Sequence, residues 1–166
     1  MNVILIAAVT ADGFIGRSSG HAADWTSKED KQLFVKVTKE AGTMVMGSKT
    51  FETIGRALPE RRMIVLTSRP HDYAADDVEF TDESPTELVN RLEAEGTNDI
   101  TVCGGAHVYH AFMEADLVDE LYLTVEPVLF GIGVKLFAGE LESKLQLTET
   151  QKLNENVVLL QYKVLR

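Results

Sequence analysis

Residues 3–9 read Val-Ile-Leu-Ile-Ala-Ala-Val, an uninterrupted apolar run of strand length. A half-exposed strand would alternate apolar and polar residues, because successive side chains point to opposite faces. With both parities apolar, the run needs cover on both faces, as a strand in the middle of a parallel sheet has. It is too short to cross a bilayer and no other segment is long enough, so no membrane partner is expected. Met1-Asn2 offers no basic leader, and no signal peptide is expected. The single cysteine, Cys103, excludes an internal disulfide and fits a reducing, cytoplasmic location. A formal net charge of −10 repels phosphate backbones, so nucleic acid is not expected as a partner. A few local cations can still draw an anionic small molecule into one cleft.

The 166 residues suggest one domain, 1–166, large enough to bury a real core. After the first strand comes a loop rich in turn formers: Gly13, Gly16, Ser18, Ser19 and Gly20. Thr26 and Glu29 have the spacing of a capping box, with Leu33, Phe34 and Val37 forming one apolar helix face and Gly42 a stop. Strands are expected at 43–46, 62–66, weakly at 78–80, at 100–103 and at 120–125. A short helix should follow Gly47, and another should cover 106–115. Ser84-Pro85-Thr86-Glu87 supplies an N-cap, an N1 proline and an N3 glutamate for a helix ending at Gly96. The stretches 145–150 and 157–164 lack helical spacing and look like a terminal antiparallel pair. The fold class is therefore α/β, with a mostly parallel central sheet, helices on both faces and an antiparallel C-terminal edge hairpin.

Gly104-Gly105 lies between a strand and a helix, where glycine admits a phosphate and helix N–H groups attract it. A tight connection alone would read the same, and this is not a G-x-G-x-x-G fingerprint. Gly47-Ser48-Lys49-Thr50 has the same layout, with a capped helix and a solvated lysine as the plain alternative. Two such turns suggest a ligand with several phosphates at the carboxyl ends of the strands. Asp24, Glu29 and Asp30 surround Trp25, where acids are common for dipole reasons. Asp30 stands out because it precedes Phe34 by four residues and so shares the apolar face. A carboxylate there is costly unless it binds something. Arg61 and Arg62 are solvated by default, with a ligand carboxylate as the alternative partner. His107, His110 and Glu114 are spaced one helical turn apart. No zinc pattern supports a metal, and a solvated face is preferred. Cys103 follows an apolar strand and reads as core.

Together these segments resemble dihydrofolate reductase over nearly the whole chain. They also resemble the riboflavin-pathway pyrimidine reductases that share its fold. The matching blocks are ILIAAVTADGFIG at the start, W-x4-D at 25–30 with Phe34, VMGSKTFETIGRALPERRMIVLTSR at 45–69, VCGGAHVYHAF at 102–112 and ELYLTVEP at 120–127. GRALPER at 55–61 looks like the dihydrofolate reductase pattern rather than its relative, whereas PVLFGIGVKLF at 127–137 looks like the riboflavin branch. No proline precedes Trp25 or Asp30, the loop 16–24 is longer than in the common bacterial form, and Ala106 stands where a third glycine is frequent.

The resemblance implies NADPH as cofactor and dihydrofolate as substrate. It implies that Asp30 hydrogen-bonds the pteridine, with Thr124 supporting that carboxylate and Trp25 beside them. Ile6, Ala7, Phe34, Ile54 and Leu58 would wall the substrate cleft, and Arg61 would hold the α-carboxylate of the glutamate tail. Ala8, Ile15 and Gly16 would neighbour the nicotinamide. Gly47, Ser48, Lys49 and Thr50 would form the first phosphate turn. Leu66, Thr67, Ser68, Arg69 and His107 fall where the adenosine 2′-phosphate is read, and Cys103, Gly104, Gly105, Ala106, Val108 and Tyr109 around the second turn. The implied reaction is hydride transfer to C6 with a proton reaching N5 from water, under a 10–24 loop that closes. The rivals are a riboflavin-pathway reductase, in which Arg61 meets a phosphate, a nucleotide-binding protein without catalysis, and a structural or interaction protein. Monomer and homodimer are both open.

Overall fold

A computed structural model describes residues 1–21 and 23–166. Ala22, inside the loop expected to close, lies outside the described residues. In chain order the elements are β1 (Asn2–Thr10), β2 (Phe14–Gly16), α1 (Lys28–Ala41), β3 (Gly42–Gly47), α2 (Ser48–Ile54), β4 (Arg62–Leu66) and β5 (Val78–Thr81). Then come α3 (Pro85–Ala94), β6 (Asp99–Val102), α4 (Ala106–Glu114), β7 (Glu120–Glu126), β8 (Val134–Lys135), β9 (Lys144–Lys152) and β10 (Val158–Leu165). Eight strands form one sheet in the order β5-β4-β3-β6-β1-β7-β10-β9, and β2 pairs with β8 in a separate ribbon. β5 through β7 in that order run parallel. β10 is antiparallel to β7, and β9 to β10, which is the antiparallel edge expected from the C-terminal sequence.

β1 shows why its sequence is apolar throughout. Ile4 and Ile6 join a core with Val37, Met44, Met46, Phe51, Met63 and Val65, under α1 and α2. Val3, Leu5 and Ala7 join another with Leu88, Leu92, Ile100 and Phe112, under α3 and α4. Each fully buried aliphatic side chain contributes roughly 1.5–3 kcal/mol relative to exposure, so a polar residue at either parity would cost stability. β1 lies between β6 and β7, away from both sheet edges. The carboxyl ends of β1, β3, β4, β6 and β7 therefore meet on one rim.

α3 begins with the expected capping box, Ser84 accepting from the Glu87 amide and Glu87 accepting from the Ser84 amide. α1 does not begin as expected. Its N-cap is Ser27, whose hydroxyl accepts from the Asp30 amide at 3.1 Å. Thr26 instead donates to the Ala23 carbonyl, and Glu29 turns to Asn154. The helix stops where expected, at Gly42, which takes a left-handed φ of 83° open to glycine without strain. β7 extends one residue beyond the expected end, to Glu126, and the β2–β8 ribbon occupies part of what reads as loop.

Candidate active site

Asp30 is 9% exposed and lies on the buried side of the first turn of α1. Burial pushes its carboxyl above the ordinary carboxylate range. Glu126 adds to the rise by like charge, while a hydrogen bond from Thr124 and the charge of Lys31 oppose it. The Asp30 charge also reaches Tyr109 on α4, whose phenol is held well above its ordinary pKa, mainly by burial. Asp30 is thus turned away from bulk solvent. Phe34, Ile54 and Leu58 are partly buried against the same core as Ile6 and supply an apolar wall on this face. Ala7 belongs to the opposite core, so only its backbone is available here. Ala8 and Thr124 are register partners across β1 and β7.

Two glycine turns meet beside that wall. The Gly47 amide donates to the Gly104 carbonyl at 2.8 Å, tying the β3–α2 turn to the β6–α4 turn. The Gly104–Gly105 peptide is cis, and Gly104 has φ 120°. A Cβ on Gly104 would lie 3.2 Å from Thr50 Oγ1 and 3.4 Å from the Tyr109 hydroxyl, and one on Gly47 would lie 3.0 Å from Val108 Cγ2. Ala106 opens α4. Tyr109 donates its hydroxyl to the Ile6 carbonyl at 2.7 Å, joining the α4 turn to β1. Cys103, beneath the turn, is buried, and burial pushes its thiol up to about 12, as suits a core residue rather than a nucleophile.

The cations divide. Arg62 is paired while still partly exposed: it bonds Glu95 at 2.6 Å and Glu79 at 2.8 Å in a network that includes Arg91 and Glu83. Arg61 is half-buried, donates to the Pro59 carbonyl at 2.9 Å and Thr38 Oγ1 at 3.1 Å, and has no carboxylate partner among the described residues. Lys49 is exposed, 3.8 Å from Glu52. At the end of β4, beyond Leu66, the Arg69 amide donates to Thr67 Oγ1 at 3.2 Å. Ser68, Arg69 and His107 are exposed on the rim. His110 is not on a solvated face, because its ring packs under Gly139, where a Cβ would lie 2.9 Å from it. Among the described residues no group of three or more His, Cys, Asp or Glu is placed to hold a metal. No helix there is long and apolar enough to cross a membrane.

Trp25 packs edge-on against Phe130, ring centroids 5.2 Å apart, and its buried Nε1 has no partner among the described residues. The Arg17 guanidinium sits 4.2 Å over the Phe130 ring. Asp12 accepts from the Phe130 and Gly131 amides at 3.2 and 2.8 Å, so the segment after β1 is tied to the segment after β7. Ile15 packs against the core beneath α4, and Gly16 is buried in β2. Sequence reasoning missed Ser27, Thr38, Phe130 and Glu126. Of these only Glu126 leaves a local trace, an acid two residues after Thr124 on the same strand face.

A buried acid beside an apolar wall can accept paired N–H bonds from the edge of a flat heterocycle. The glycine turns set two helix starts, without side-chain caps, on one rim, where free amides attract phosphate. The family model for dihydrofolate reductase matches residues 2–155. The uncharacterized protein YwjB of Bacillus subtilis (strain 168) is 31% identical over 166 residues, covering 94% of this chain and 94% of YwjB. The dihydrofolate reductase from Enterococcus faecalis, complexed with NADP(H) and RAB-propyl, has a TM-score of 0.76 at 28% identity, covering 98% of this chain and 96% of that one. A putative riboflavin biosynthesis protein from Shewanella sp. PV-4 has a TM-score of 0.81 over 100% of both chains, and at 23% identity that likeness concerns the fold alone. With the family match running from β1 to the turn between β9 and β10, the chain belongs to the dihydrofolate reductase family.

Proposed function

We propose that the protein reduces 7,8-dihydrofolate to tetrahydrofolate with NADPH. The observation that carries this reading is the buried Asp30, set in the first turn of α1 beside the apolar wall of Phe34, Ile54 and Leu58. The cofactor fits the residues present. Gly47 and Gly105 cap α2 and α4 without any side-chain hydrogen bond to the first helical amides, which suits a pyrophosphate held on those amides. Ser48, Lys49 and Thr50 would hold one side of it and Gly105, Ala106 and Val108 the other. Arg69, Ser68 and His107 would meet the 2′-phosphate, and Ala8, Ile15, Gly16 and Tyr109 the nicotinamide. When bound, the reduced nicotinamide supplies a hydride to C6.

Asp30 hydrogen-bonds the pteridine N3 and 2-amino group and fixes the ring, with Trp25 and Thr124 alongside. Ile6, Phe34, Ile54 and Leu58 exclude water from its faces, and Ala7 contributes backbone only. Arg61, already anchored by Thr38 and Pro59, has donors left for the α-carboxylate of the glutamate tail. N5 takes its proton from water, made more basic by the ring's contact with Asp30. Because the Asp30 pKa is raised, the site keeps its proton to a higher pH, and kcat/KM falls as pH rises through that value.

Asp30→Asn tests the assignment. NADPH affinity should persist while turnover falls by about 10²–10⁴. Near-normal turnover at neutral pH in that variant contradicts it. A second reading, reduction of a ribosylamino-pyrimidinone phosphate, is favoured by PVLFGIGVKLF at 127–137, which resembles the riboflavin-pathway branch. It differs in having Arg61 meet a phosphate. Assaying both substrates with NADPH separates the two.

A further inference from the structure

Two carboxylates are buried beside the first turn of α1, and the proposed reaction uses only one. Glu126 is 2% exposed, deeper than Asp30 at 9%. A carboxylate so placed needs strong donors. Its donors come from Ser27, whose amide and hydroxyl both reach Glu126 Oε1, at 2.8 and 2.7 Å. Ser27 in turn caps Asp30 by accepting its amide. In an ordinary capping box the acid at N3 folds back onto the N-cap amide. At the start of α1 the N3 residue is Asp30 itself. A local capping box would consume the carboxylate that faces the pteridine site. Glu126, arriving from β7, takes the Ser27 amide instead.

We propose that Glu126 is a positioning residue for Asp30: by closing the α1 cap from β7 it leaves the Asp30 carboxylate free for substrate, and it sets a second negative charge beside it. This rests on the reading that Asp30 is the substrate-binding acid. Alternation along β7 explains the placement, because Thr124 and Glu126 project from one strand face, the first toward the Asp30 carboxyl and the second toward its cap. The groups facing Asp30 are Thr124 and Glu126 from β7, Lys31 from its own helix and Tyr109 from α4. The Glu29 carboxylate is turned away to Asn154. Of these neighbours only Glu126 favours the protonated form of Asp30 by its charge.

The test is a carbon-13 NMR titration of the Asp30 carboxyl in the full-length protein, assigned with Asp30→Asn, for wild type and Glu126→Gln. The glutamine keeps an oxygen for Ser27 and removes the charge. The Asp30 midpoint should move downward in Glu126→Gln, with the fold retained. In parallel, the ratio of Glu126→Gln to wild-type kcat/KM for dihydrofolate should decline as pH rises, settling several-fold lower on the alkaline side. An equal loss at every pH, or an unmoved Asp30 midpoint in the folded variant, overturns the proposal. Should Glu126→Gln fail to fold, Ser27→Ala decides: it removes the hydroxyl that holds Glu126 and caps Asp30, so the Asp30 midpoint should move, and an unmoved midpoint in that folded variant contradicts the proposal. The NMR arm requires no turnover. Coupling in a protein inert toward dihydrofolate would defeat the reaction and leave the arrangement standing, whereas activity without coupling would defeat the role of Glu126 alone.

Discussion

Asp30 is held at a cost to folding, and the sign of that cost is measurable. Its pKa in the folded chain is raised above the ordinary 3.8, chiefly by burial. A raised acid favours the protonated form, so its contribution is fully present below the unfolded pKa and is lost as pH rises through the folded one. At neutral pH the ionised carboxylate is a net burden. Asp30→Asn should therefore melt a few degrees above wild type at neutral pH, and the gap should narrow as the pH falls toward 3.8. In a chain of this size roughly 2–4 °C corresponds to 1 kcal/mol. Thermal melts across that range check it, and a lower Tm for the variant at neutral pH contradicts it. Asp30 was legible because an acid shared a helix face with Phe34. Ser27 was not, because its decisive partner, Glu126, is 99 residues away.

Among elements, the same contrast separates α3 from α1. The α3 cap was readable because both members of its box lie within one turn. The α1 cap is completed by another element, so sequence spacing favoured Thr26 and Glu29 instead. Ser27→Ala should cost about 0.5–2 kcal/mol for the lost cap, and more because buried Glu126 loses a donor. Thr26→Ala should stay within about 0.5 kcal/mol. Urea unfolding of both variants checks this, and equal effects would put the cap elsewhere. The β6–α4 turn gives a second comparison. Gly104→Ala combines φ 120° with a contact of 3.2 Å and should cost about 1–3 kcal/mol and weaken NADPH binding at least tenfold. Gly105→Ala meets only Thr50 Oγ1, at 3.6 Å, and should cost less. Cofactor titration by fluorescence distinguishes them, and comparable losses would mean the Gly104 conformation is not what the site depends on. The β2–β8 ribbon was illegible because two or three residues carry no period, and what fixes it is Asp12 reaching across to Phe130 and Gly131.

For the whole molecule, the fold class followed from local rules: each apolar run, glycine turn and capped helix is a unit of neighbouring residues. The strand order did not. β6 is inserted between β3 and β1, with α1 and α4 on opposite faces, and this brings the Gly47 and Gly104 turns together. That insertion puts Tyr109 against Ile6 and within electrostatic reach of Asp30, making one site from segments far apart in sequence. The net charge of −10 sharpens the expectation that an anionic cofactor depends on the few rim cations, Lys49 and Arg69 among them. The most direct measurement is the loss of reduced-nicotinamide absorbance when purified wild-type protein is mixed with NADPH and dihydrofolate. Oxidation of NADPH that requires dihydrofolate and falls at least about a hundredfold in Asp30→Asn is the predicted result. A chain that binds NADPH but leaves it unoxidised with dihydrofolate would contradict the account.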